Sequence, residues 1–195
     1  MVAWAVLLGL ALELAGIQAQ TPGGRAQQPP AGPLVLGRRG GPPQPLQQQG
    51  VEYFAGSWTF TYTGRESPVS SGPRSGTVTF SRRGATNVLD VRVEGKVEDG
   101  GPFRETGTFE WNDADKTMAI TERLANGAEV SSVGNWSSPL TIRSETRAIQ
   151  AGGQSVRLRR VYSIVSAQSF TVTEEISLDG GPFQRLGAGQ FSKAR

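Results

Sequence analysis

From Val51 onward the chain is built of short segments in which apolar and polar residues alternate one by one, and no stretch keeps a helical period. Successive side chains of a strand point to opposite faces, so this alternation marks strands with one buried face. Trp58, Phe60 and Tyr62 alternate with Thr59, Thr61 and Thr63, and Leu89, Val91 and Val93 alternate with Asp90, Arg92 and Glu94. Phe103, Gly107, Phe109 and Trp111 share a face, as do Val156, Leu158, Tyr162 and Ile164, and then Phe170, Val172 and Ile176. Turn residues separate the segments, and about ten strands are expected. Such a meander closes most naturally into an antiparallel up-and-down barrel, with glycines such as Gly107 and Gly187 at the corners; a two-sheet β-sandwich is the alternative.

Two sequence markers recur in the same order. Asp-Gly-Gly-Pro-Phe occurs at residues 99–103 and again at 179–183, and Gly-x-Trp occurs at residues 56–58 and 134–136. When the pentapeptides are aligned, however, Glu98 falls on Leu178 and the apolar phase of the preceding strands slips by one residue. The repeat supports a meander of similar hairpins and stops short of an internal duplication.

The segment before Val51 has a different character. An apolar run from Val2 to Leu12, followed by Ala19 at a plausible cleavage point, reads as a signal peptide over residues 1–19. The run is too short for a membrane span, which needs about 20 apolar residues. Residues 20–50 contain seven Pro, seven Gly and seven Gln, a composition that buries little and suits a disordered spacer. The barrel domain then occupies residues 51–195, and the expected location is secreted or periplasmic.

Charge and chemistry narrow the function. The domain carries 17 basic and 16 acidic residues, with three of the chain's arginines in the spacer, so no nucleic-acid surface is expected. Cysteine is absent, so stability must come from burial. Histidine is absent too, which removes Ser-His-Asp and Cys-His machinery, imidazole-bound zinc and His-ligated haem. No cofactor is implied.

At Phe54-Ala55-Gly56-Ser57-Trp58, opening the first strand after a spacer, the chain resembles the lipocalin-like (calycin) barrels. Gly134-x-Trp136, followed by Leu140 and Ile142, is similar to the mid-chain feature of uncharacterised bacterial secreted lipocalin-like proteins. The resemblance implies an indole closing one barrel end and a hydrophobic ligand inside. The histidine of haem-binding relatives is missing, so that function is not carried over.

Several polar residues fall in phase with the apolar face. A hairpin turning around residues 166–168 sets Ile164 opposite Phe170, Tyr162 opposite Val172, and Arg160 opposite Glu174. The 179–182 turn then brings Arg185 opposite Ile176, giving an inward Arg160–Glu174–Arg185 cluster. It reads either as an anchor for a ligand's acid group, with Tyr162 beside it, or as a self-satisfied ion pair that fixes register. With a turn at 112–115, Glu105 faces Glu122, and one of two inward carboxyls should hold its proton. Trp58, Trp111 and Trp136 can stack on a ligand or plug the barrel.

Together these features describe an exported barrel that binds a small hydrophobic or amphipathic ligand through Arg160, Tyr162, Glu174, Arg185, Trp58 and Trp136, with no catalysis assigned. A barrel packed solid, acting as a protein-interaction module, is one alternative. A cofactor-free isomerase or hydrolase using Glu105 and Glu122 is the other.

Overall fold

The computed structural model describes residues 48–194. The expected signal peptide (1–19) and the expected spacer up to residue 47 lie outside the described residues. Order begins slightly before Val51: the Gln49 amide donates to the Pro139 carbonyl at 3.1 Å.

The alternating segments are strands, each longer than its apolar signature. They are β1 (Gly56–Gly64), β2 (Glu66–Ser67), β3 (Ser70–Ser71), β4 (Arg74–Arg82), β5 (Val88–Val97), β6 (Pro102–Asn112), β7 (Thr117–Arg123), β8 (Glu129–Ser138), β9 (Thr141–Thr146), β10 (Ile149–Ala151), β11 (Gln154–Ser166), β12 (Ser169–Leu178) and β13 (Gln184–Lys193). Ten of them close a ring in the order β1-β4-β5-β6-β7-β8-β9-β11-β12-β13, with β13 returning to β1 and every pairing antiparallel. This is the expected up-and-down barrel. β10 is an extra strand; it pairs with the start of β11 where β9 has ended, and so continues the line of β9. β2 and β3 form a small separate hairpin.

The two barrel ends are filled differently. At the end where β1 begins, a 3₁₀ turn, Val51–Phe54, enters the lumen and buries Phe54 completely. Phe54 packs against Phe80, Phe109 and Phe170, with ring centroids 5.8, 5.8 and 5.2 Å away. Trp58, also 0% exposed, donates its indole N–H to the Phe54 carbonyl at 2.7 Å, tying plug to wall. At the other end the β2–β3 hairpin folds over the opening. Val69 at its tip joins a second core cluster with Leu124, Val130, Val156, Leu158, Ile176 and Leu186. Asn126 Nδ2 fastens the hairpin by donating to the Pro68 carbonyl at 2.9 Å.

The repeated pentapeptides adopt different conformations. In the second copy Asp179 and Gly180 both have positive φ (50° and 76°), the pairing needed for a tight I′-type reversal; none of residues 99–101 in the first copy does. Phe103 lies inside strand β6 and is buried with Phe60 and Tyr62. Phe183 precedes β13 and lies outside, with Arg159 stacked 3.8 Å from its centroid. The Gly-x-Trp copies stand five ring strands apart and the pentapeptide turns six, which excludes a simple doubling. Arg157 and Arg159 lie on the outer face, where both pair with Glu145.

Candidate binding site

The alternation that makes the barrel also sends a few charged side chains inward, and they gather in the half covered by the β2–β3 hairpin. Arg160 on β11 and Glu174 on β12 are cross-strand partners in the expected register. Both are buried, at 6% and 7% exposure. Arg160 Nε donates to Glu174 Oε1 at 2.7 Å, and its Nη1 donates to Glu122 Oε2 on β7, across the lumen. One guanidinium therefore holds two carboxylates, which makes Arg160 a self-satisfied hub and leaves little of it for a ligand acid.

Two expected placements are corrected. Arg185 does not face inward. A β-bulge between Glu174 and Glu175 shifts the β12–β13 register, so Arg185 pairs with Glu175 on the exposed outer face, and Leu186 takes the buried position. Glu105 and Glu122 are not directly opposed either. The β6–β7 turn has the expected four residues but lies one residue later, at 113–116, with Asn112 paired to Thr117 and Lys116 at a φ of 54°. Glu122 then sits opposite Gly107, and Glu105 lies one inward position further along β6. A shift of two preserves the face, so both glutamates still line the same cavity.

That cavity has a volume of about 100 Å³. Its apolar walls include Phe60, Val78, Val93, Phe109 and Phe191, and its polar side is formed by Tyr62, Arg74, Glu105, Glu122, Arg160, Tyr162 and Glu174. Arg74 lies over the Tyr62 ring, 4.6 Å from the centroid, and donates to Ser70 Oγ at 3.4 Å. The Tyr62 hydroxyl is buried without a hydrogen-bond partner; Glu174 and Ser70 are its polar neighbours, but neither completes a bond of good geometry. Glycines on β13 make room for the tyrosine: a Cβ on Gly187 would stand 2.3 Å from its hydroxyl oxygen. Glu105 and Leu124 also line a second space of about 150 Å³, between the β2–β3 hairpin and the Leu124–Asn126 turn, and so connect the interior to the underside of the hairpin.

Electrostatics follow from this packing. Burial raises the Glu174 carboxyl, but the Arg160 charge, helped by that of Arg74, outweighs it and holds the group below the ordinary glutamate range. Glu105 shifts the other way: burial pushes it up, and the nearby Glu122 charge adds to the push, against the opposing pull of Arg74. Of the two inward carboxyls it is Glu105 whose proton is held more tightly than usual, with burial as the first cause. Burial also raises the phenols of Tyr62 and Tyr162.

The Glu105 shift has a measurable consequence. Because the folded state holds this proton more tightly than the unfolded chain, its stabilising contribution is complete below the ordinary glutamate range. It is lost as pH rises through the elevated folded value. Glu105→Gln keeps the acceptor for the Ala125 N–H (3.4 Å) and removes the buried charge. The variant should be more stable than the parent at pH 7 by about 0.5–2 kcal/mol and lose that advantage near pH 4. Urea unfolding at the two pH values checks this.

The tryptophans belong elsewhere. Trp58 packs from the wall against the plug and does not line the cavity, and Trp136 faces a separate surface groove with Trp111, whose indole N–H is held by Asp113 Oδ1 at 2.8 Å. Tyr162 does line the cavity, with its ring edge-on to Phe109 at 5.6 Å.

No family model matches this chain, and no curated protein does. Among solved structures, the crystal structure of Rv2717c from M. tuberculosis is similar, with a TM-score of 0.59 and 18% identity over 76% of this chain and 100% of that one. A redesigned β-barrel, b11L5F_LGL, matches with a TM-score of 0.44 and 16% identity over 76% of this chain and 97% of its own. Another, mFAP1, solved bound to DFHBI, matches with a TM-score of 0.43 and 17% identity over 75% of this chain and 100% of its own. The likeness to Rv2717c is one of fold.

Proposed function

We propose that this protein is an exported, lipocalin-like barrel that binds a small amphipathic molecule in its hairpin-covered half. The observation that carries this reading is the cavity itself, an apolar pocket with one polar side on which a buried tyrosine hydroxyl has no partner. Burying a polar group without a hydrogen bond is costly, so a site that leaves one open favours an occupant that supplies the bond. The scale sets the ligand class. An apolar cavity of about 150 Å³ suffices for benzene, so about 100 Å³ suits a compact molecule rather than a long acyl chain.

The same modest volume favours the second reading, a barrel packed for an interaction role. The two are separated by native mass spectrometry of the full chain produced in an exporting bacterial host. A bound small molecule that is released by organic extraction, on a protein shortened by residues 1–19, is the expected result. A bare protein mass favours the packed module, and an intact N-terminus removes the export reading.

A further inference from the structure

The polar side of the cavity is short of positive charge. Three carboxyl groups, Glu105, Glu122 and Glu174, share it with two guanidiniums, Arg74 and Arg160, which leaves one negative charge in excess when all are ionised. The guanidinium expected from the sequence to receive an acid, that of Arg160, is already filled. Arg160 is committed to Glu174 and Glu122, and Arg74 is laid over the Tyr62 ring with a hydrogen bond to Ser70. Acceptors are in surplus. Glu122 gives Oε2 to Arg160 and has no second hydrogen bond among the described residues, and its side chain is 27% exposed, far more than that of Arg160. Glu105 receives only the long contact from Ala125. Independently of the carboxyls, the Tyr62 hydroxyl is buried, unpartnered and on the cavity wall.

From this arrangement we infer that the ligand is a small primary amine, bound as its ammonium ion, with its alkyl part against Phe60, Val93 and Phe191. An ammonium carries three donors and no acceptor, which complements a wall rich in unfilled oxygens. It can donate to the Tyr62 oxygen while that hydroxyl turns its proton toward Glu174, and to the open oxygen of Glu122. Its charge cancels the excess negative charge of the ionised wall. A carboxylic acid, the ligand chemistry expected from Arg160 in the sequence, would instead bring a further negative charge to a saturated arginine.

This inference rests on the cavity being a binding site, and the test separates the two ideas. Isobutylamine, isobutanol and isobutyrate have nearly the same shape and differ in charge. Each is titrated into the full chain at pH 7, with amide chemical shifts at cavity residues as the readout. Isobutylamine should bind about tenfold more tightly than isobutanol, the size of one charge-assisted hydrogen bond, and isobutyrate should not bind. Glu122→Gln should bring the amine down to the level of the alcohol. If that variant does not fold, the three-ligand series on the parent protein decides alone. Equal binding of amine and alcohol, or binding of the acid, overturns the amine and leaves the cavity reading in place. No shift at cavity residues with any of the three overturns both.

Discussion

Arg160→Met is expected to destabilise the barrel by about 3–5 kcal/mol at neutral pH, seen as a lower urea midpoint at unchanged slope. The loss comes less from a missing attraction than from what is left behind. Glu174, 7% exposed, would keep its burial and lose the cation 2.7 Å away, and Glu122 would lose the same partner. The pH dependence identifies the cause. In the parent, the lowered Glu174 group contributes stability above the ordinary glutamate range that is lost as pH falls through its depressed folded value. In the variant, burial acts with little opposition, the folded value rises, and stability falls as pH rises through it. The gap between the two proteins should therefore widen from pH 4 to pH 7. Replacing the whole hub, as Arg160→Met with Glu122→Gln and Glu174→Leu, should recover most of the loss. A gap that stays flat with pH would mean the arginine acts by packing alone.

Trp58→Ala should cost a similar amount, about 3–5 kcal/mol, for a different reason. The indole is wholly buried, sits 4.9 Å from the Phe170 ring and 5.5 Å from that of Tyr53, and holds the plug through the Phe54 carbonyl. Alanine removes the ring, the edge-to-face contacts and the hydrogen bond together. Trp58→Phe should restore most of the packing and still leave the Phe54 carbonyl unbonded, so its cost should be intermediate, about 1–3 kcal/mol. Urea unfolding of both variants, followed by near-ultraviolet circular dichroism, measures the ranking. If the phenylalanine variant proves as damaging as alanine, the hydrogen bond to the plug outweighs the ring.

The barrel was legible because its residues state their faces one at a time. Trp58, Phe60 and Tyr62 point inward as the alternation requires. The Arg160–Glu174 pairing was legible because the β11–β12 hairpin is tight and the pattern beyond it is unbroken back to Leu178. The failures occur where backbone conformation, not pattern, sets the register. The bulge after Glu174 turns Arg185 outward, and nothing in Glu174-Glu175-Ile176 announces it. The β6–β7 turn is displaced by one residue with Lys116 in the left-handed region, a conformation that lysine does not signal, and the Asn112 side chain caps the turn by accepting from the Ala114 amide at 2.9 Å. The β2–β3 hairpin has no alternation at all, so the cover over the cavity was missed. Tyr62 was placed on the inner face, but its empty hydroxyl depends on Gly187, whose missing side chain looked like a corner residue.

The ring closes by pairing its first strand with its last: Trp58 stands opposite Lys193, and the Ala194 amide reaches the Ser57 carbonyl at 2.8 Å. During synthesis, which runs from the N-terminus, β1 and β12 must therefore each wait with one row of backbone donors and acceptors unpaired until residues 184–193 are made. These contacts span nearly the whole domain, the kind that form late and slow the folding of all-β proteins. Any process that withholds residues 184–193, whether a stalled ribosome or a passage taken in extended form, keeps the molecule open until that strand is released.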